Sequence, residues 1–259
     1  MAQIDFVAHL HDDTDRYAFV LGRGPLDAPV SGCPGWDLTA LTLHLGKIHR
    51  WARLSARTAA RPERGAVPGP PDHCDDPGEL ATWLLDGSAA LSETLVGLDP
   101  EAPTWHPFPV PLVAGLWPRR MAQETLVHRW DAESAIGPAS PIDPVLAADG
   151  IDEYFTVMLP RLVVGTQLEL PDGHVHVECT DVDSAWSVAA RDGELFVTSG
   201  VTAAESDQIE HRSRAVDHAI LRGSAEQLLL ALWGRDGGGP LRVDGDAATA
   251  QALLALGGV

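Results

Sequence analysis

Pro118-Arg-Arg-Met-Ala-Gln-Glu-Thr-Leu-Val-His-Arg-Trp-Asp-Ala-Glu-Ser-Ala135 carries the signals of one helix and of a site within it. Proline is favoured at the first helical position, where its missing N–H is not needed, and Gly137-Pro138 stops the run. Glu124 and His128 are four residues apart, so they leave one face a turn from each other. A carboxylate and an imidazole so placed can share a metal ion, or simply form a surface pair or a hydrogen bond. The rest of the chain has to supply the reason to choose.

Upstream, Leu38 to Arg57 reads as a helix capped by Asp37, with Leu38, Leu41, Leu45, Ile48 and Ala52 as a core-facing stripe. His44 lies between Leu41 and Ile48 on that stripe and therefore faces the core side. Together with Glu124 and His128 it makes a set of two imidazoles and one carboxylate. Such a set suits Zn2+, Fe2+ or Ni2+ and leaves coordination positions open for water or substrate. Two more helices are expected. One spans Ile4 to Leu21; the other follows the Asp76 cap and Pro77 and carries Leu80, Trp83, Leu84, Leu91, Leu95 and Leu98. Four helices in antiparallel order predict a bundle, whose interior is a natural place for a metal.

Downstream, Pro138 to Pro144 has the composition of a linker and separates a helical domain, 1–140, from a second domain, 141–259. Leu146 to Leu162 reads as a helix, after which the apolar period changes. Gln167–Leu170, His174–Cys179, Ala185–Ala189 and Glu194–Val197 read as strands, with Asp-Gly turns at 172–173 and 192–193. Strands at Asp217–Leu221 and Leu241–Val243 and helices at Ala225–Trp233 and Ala247–Leu256 complete the pattern. The fold class is thus α plus α+β: a four-helix bundle followed by a smaller α+β domain.

Charge excludes some partners. Against 37 Asp+Glu the 259 residues hold 18 Lys+Arg, a formal net charge of −19. So acidic a chain, with no local basic patch, repels phosphate backbones and anionic lipid headgroups, and neither nucleic acid nor a membrane is expected as partner. No apolar run is long enough to span a bilayer, and no basic segment followed by an apolar one opens the chain, so a cytoplasmic location is expected. Cys33, Cys74 and Cys179 are odd in number and lack CxxC spacing, which predicts free thiols.

Two segments around the candidate ligands resemble a known family. Cys33-Pro-Gly-Trp-Asp-Leu-Thr-Ala-Leu-Thr-Leu-His-Leu-Gly, with Ile48-His-Arg-Trp after it, and Met121-Ala-Gln-Glu-Thr-Leu-Val-His-Arg-Trp-Asp-Ala-Glu are similar to the signature segments of the mycothiol-dependent maleylpyruvate isomerases. Asp217-His-Ala-Ile-Leu-Arg-Gly-Ser to Leu232-Trp-Gly-Arg resembles that family's C-terminal domain. The resemblance implies a DinB-like bundle joined to a sterol-carrier-like α+β domain. It implies that His44, Glu124 and His128 are the ligands of a divalent metal, usually assigned to zinc, and that mycothiol is the thiol cosubstrate, bound at the domain interface. Its thiolate would add to the cis double bond of maleylpyruvate and leave after rotation. As an S-transferase, the protein would instead leave the thiol attached to another electrophile. The small-molecule partner is then an organic anion or electrophile. The family also uses an arginine of its C-terminal domain, for which Arg235 and Arg222 are the candidates, Arg235 preferred because it follows a helix end. A different class, a non-catalytic metal-binding or protein-interaction module, would share the fold; the intact ligands argue against it.

Several other residues have ordinary readings. Arg119, Arg120 and Arg129 could meet an anionic substrate but are expected in surface pairs. His49 lies beyond the stripe and reads as a surface residue, or as one behind the site. His174 and His176 share a strand face, a spacing that can bind metal, yet no third ligand is evident and they too read as surface. Cys33 is expected as a small buried residue. Asp131, three after His128, could orient that ring.

Overall fold

The computed structural model describes residues 4–166, 172–200 and 218–258. Two compact units emerge, one built from residues up to Pro107 with Pro111–Ser140, the other from Phe108–Val110 with the chain from Pro141 onward.

The first unit is helical. Helices α1 (Phe6–Leu21), α2 (Leu38–Ala56), α3 (Pro77–Val96) and α4 (Leu116–Ile136) follow the expected order, α4 starting two residues before Pro118. Aspartates cap the first three: Asp5 accepts from Ala8 N, Asp37 from Ala40 N at 2.7 Å, and Asp76 from Gly78 N and Glu79 N. Both α1 and α2 pack against α3 and α4, which gives the cyclic order α1–α3–α2–α4.

The bundle interior has two apolar clusters. One joins Tyr17, Leu21, Leu38, Leu41, Leu45, Leu80, Leu84 and Ala132; the other joins Leu10, Ala52, Leu91, Leu95, Trp117 and Met121. Between them along the helices lie Thr14, His49, Ser88 and Thr125, all buried. They pair across the bundle, Thr14 Oγ1 with Ser88 Oγ at 2.9 Å and His49 Nε2 with Thr125 Oγ1 at 2.9 Å. A polar layer thus crosses the middle of the core, each helix giving one residue.

The second unit opens with α5 (Pro144–Glu153), capped by Asp143, and α6 (Leu159–Thr166). The single helix expected from Leu146 to Leu162 is interrupted by a π-helical turn at Tyr154–Met158. Pro160 follows at once; it has no N–H to donate to the carbonyl four residues back, so the regular ladder cannot run through. A mixed sheet comes next, in the order β3-β2-β1-β4-β5, from β1 (Gly173–Cys179), β2 (Ala185–Arg191), β3 (Glu194–Ser199), β4 (His218–Gly223) and β5 (Arg242–Gly245). Helices α7 (Ala225–Leu232) and α8 (Ala247–Ala255) flank β5 in sequence. β2 and β3 form a hairpin whose turn residues, Asp192 and Gly193, have φ of 52° and 78°, the left-handed pair that an Asp-Gly turn favours. Among the described residues only β1 and β4 pair in parallel, His174 beside His218. The strand expected at Gln167–Leu170 lies outside the described residues, as does Asp217. Among the described residues no helix is long and apolar enough to cross a membrane.

Candidate metal centre

α2 and α4 pack side by side, and their inward faces bring the sequence-predicted donors together. His44 Nε2 is 3.1 Å from Glu124 Oε1, and His128 Nε2 is 3.4 Å from the same oxygen. One donor atom from each of the three residues lies within 4.8 Å of the other two. The His44 and His128 rings meet edge to face with centroids 5.2 Å apart, and Trp36 stands 5.0 Å from the His44 ring. The His44 side chain is 31% exposed, against 12% for His128, so the cluster is reached from the His44 side.

Each of the two α4 donors is held from behind. The Asp131 carboxylate lies 3.0 Å from His128 Nδ1, which donates to it when that nitrogen carries the proton, and Asp131 is buried. Arg120 Nη2 donates to Glu124 Oε2 at 2.8 Å, which leaves Oε1 turned to the histidines. Burial by itself would raise the Glu124 carboxyl, but hydrogen bonds from His128 and His44 and the Arg120 charge hold it well below the usual range. Burial would likewise lower His128, and its contacts with Asp131, Cys33 and Glu124 instead push it well above an ordinary imidazole. Without a metal this is a tight ion pair. Cys33 Sγ lies 3.7 Å from Asp131 Oδ2, and Cys33, His128 and Asp131 form a second group of close donor atoms.

Other expectations need correcting. Arg120 and Arg129 are not surface pairs, being 2% and 1% exposed. Arg129 Nε donates to Asp13 at 3.1 Å, while its Nη1 donates to Glu133 at 2.8 Å and to the Ser140 carbonyl at 2.9 Å. A guanidinium inside the bundle needs its donors satisfied, and α1, α4 and the chain after α4 all contribute. His49 is fully buried in the polar layer, because α2 packs between two helices and buries more than one stripe. His176 is also fully buried, and half-buried His174 donates to or accepts from Ser187 Oγ at 2.7 Å. Cys33 is half-buried, not fully buried. The Arg120–Glu124 contact was within reach of sequence reasoning, being another pair four apart; the polar layer left no local signal.

Arg222 and Arg235 belong to the second unit. Arg222, on β4, donates from Nε to Glu178 at 2.9 Å and from Nη1 to Asp244 at 2.7 Å. Arg235 donates from Nη1 to the Trp233 carbonyl at 2.6 Å just past α7.

Residues 7–133 match the mycothiol maleylpyruvate isomerase N-terminal domain, and residues 145–252 match that family's C-terminal domain. The chain belongs to the mycothiol-dependent maleylpyruvate isomerase family. That is a family of enzymes, and His44, Glu124 and His128 all fall inside its N-terminal domain. Crystal structures of a mycothiol-dependent maleylpyruvate isomerase and of a histidine-to-alanine variant share the fold. The TM-scores are 0.60 and 0.59 at 13% and 12% identity, with 92% of this chain and 91% of the other covered. No curated protein shows significant similarity to the chain.

Proposed function

We propose that this protein is a divalent-metal-dependent enzyme that activates mycothiol and acts as a cis–trans isomerase of the maleylpyruvate type. The observation that carries this reading is the meeting of His44 Nε2, Glu124 Oε1 and His128 Nε2 within a domain of this family. The donors fit a divalent ion: two imidazoles and a carboxylate held in its ionised form, three protein ligands with room for a fourth. When bound, such an ion, with zinc the best match to the donor set, lowers the pKa of a coordinated thiol so that a thiolate exists at neutral pH.

The chain's own residues arrange the rest. Asp131 keeps the His128 proton on Nδ1, which leaves Nε2 as the lone-pair nitrogen toward Glu124 and His44. Arg120 takes up one oxygen of Glu124 and so fixes which oxygen faces inward. The thiolate of mycothiol adds to the cis double bond, rotation about the new single bond follows, and expulsion of the thiolate restores the double bond in the trans form. The thiol is regenerated, with no net redox change. For the substrate carboxylate, Arg235 is preferred over Arg222 because it follows the end of α7.

The test starts with the metal content of the purified protein. We expect a stoichiometric divalent ion whose loss in His44→Ala accompanies loss of mycothiol-dependent turnover of maleylpyruvate, with an unchanged circular dichroism spectrum. A protein that carries no divalent metal and takes up none added would reject the reading. Thiol balance then separates the two chemistries: recovery of free mycothiol marks an isomerase, while its consumption into a stable adduct marks an S-transferase.

A further inference from the structure

We propose that Trp36 is a positioning residue for His44, its indole ring holding that imidazole in the orientation that faces Glu124; the role rests on the metal-dependent reading above. The three candidate donors are not supported alike. Arg120 holds Glu124, and Asp131 holds His128. His44 has no such partner: its Nε2 meets Glu124 Oε1, and its Nδ1 makes no hydrogen bond among the described residues. Its side chain is also the most exposed of the three, at 31% against 18% for Glu124 and 12% for His128. A half-open imidazole has several staggered rotamers within reach, and only the one seen here brings Nε2 to the other donors.

What selects that rotamer is aromatic contact. The Trp36 ring stands 5.0 Å from the His44 ring, tilted by 55°, and the His128 ring meets it edge to face at 5.2 Å. Both separations lie where aromatic pairs attract. Trp36 can act as a wall because the chain before α2 is braced. Pro34 and Gly35 occupy the centre of a turn closed by Trp36 N, which donates to Cys33 O at 2.9 Å, and Gly35 has φ of 85°, as a type II turn requires at its second central residue. Nothing lies within 4 Å of where a Cβ on Gly35 would sit, so glycine serves there for its backbone angle and not for space. Val30 N donates to Trp36 O at 2.9 Å and Leu38 N to Ala28 O at 3.1 Å, tying the two sides of the loop together. Trp36 also packs on the apolar cluster that holds Leu38 and Leu41. A ring fixed in this way orders His44 before any ion arrives, so binding does not have to supply that ordering.

The test compares two replacements in the full-length protein. Trp36→Leu keeps apolar bulk on the cluster but removes the ring, whereas Trp36→Phe keeps a ring. Affinity for Zn2+, read by competition with a chromogenic chelator, should fall about threefold to tenfold in Trp36→Leu, the scale of one aromatic pair, and be restored in Trp36→Phe. Carbon-13 relaxation of the histidine rings in metal-free protein should find His44 ordered in the wild type and in Trp36→Phe but mobile in Trp36→Leu, with His128 ordered in all three. Undiminished affinity in Trp36→Leu, equal losses in both variants, or a His44 ring equally ordered without the indole would each overturn the proposal and leave the proposed function standing. Wild-type protein that takes up no zinc would instead reject the proposed function, and the order of the metal-free His44 ring would then decide the positioning role by itself.

Discussion

At the residue scale, the groups behind the candidate ligands matter as much as the candidate ligands themselves. Asp131 is buried and aimed at His128 Nδ1, so Asp131→Asn keeps the shape but loses the charge that fixes the ring. Metal affinity should fall by about 10–100-fold, the usual effect of such outer partners, as measured by competition with a chromogenic chelator. An unchanged affinity would mean that His128 does not ligate. His49 supports a prediction on stability. Burial is the main cause that depresses it from 6.5 to about 3, so the folded protein resists taking a proton that the unfolded chain accepts. Its contribution is whole above the unfolded value and is lost as pH falls from about 6.5 toward 3, at up to about 1.4 kcal/mol per pH unit. In urea titrations between pH 7 and 4, His49→Gln should show a shallower loss of stability than the wild type. Parallel pH profiles would place the acid sensitivity elsewhere.

At the element scale, capping and close packing explain why the bundle forms where it does. Asp76 accepts from two backbone N–H groups at the start of α3, with Pro77 already preset for a helix. Asp76→Ala should cost about 1 kcal/mol by urea denaturation. Gly46 on α2 is a different case. A Cβ there would collide with the Trp83 ring, which itself lies against the Arg50 guanidinium at 4.1 Å. Gly46→Ala improves helix propensity yet forces α2 and α3 apart, and we expect a net loss of roughly 1–3 kcal/mol. A gain in stability would show that Trp83 moves aside freely. The helix ends and the stripe on α2 were legible in the sequence, because capping and the 3.6-residue period are local. The polar layer of Thr14, His49, Ser88 and Thr125 was not, since a polar residue in a helix looks exposed until its neighbours are known. The π turn before Pro160 was not legible for another reason: the apolar period runs on from Tyr154 to Leu162, across the turn that the structure inserts.

At the scale of the whole molecule, the net charge of −19 sets the environment in which the candidate centre works. Self-repulsion on this scale should be relieved by screening, as the Debye length shrinks from about 30 Å at 0.01 M salt to about 3 Å at 1 M. The melting temperature should therefore rise as sodium chloride is added; a flat or falling curve would show that acidic groups are compensated locally throughout. Arg129 illustrates such compensation in the bundle, enclosed by Asp13, Glu133 and Ser140. The order of a helical half and a sheet-containing half followed from the change in apolar period after Leu162, and the hairpin at Asp192-Gly193 from its Asp-Gly turn.

By itself the sequence determined the elements, the donor types and the pairing of Glu124 with His128 on one helical face, because these depend on backbone geometry over a few residues. It also determined the family, through the segments around those donors. Tertiary structure alone decided that Arg120 and Arg129 are buried partners of carboxylates and that the core is crossed by a polar layer. It alone decided that β4 lies parallel to β1, with His218 beside His174. The physical reason is the same in each case. Period and capping are set by neighbours in the chain, whereas burial and cross-strand register are set by which distant surfaces close on one another.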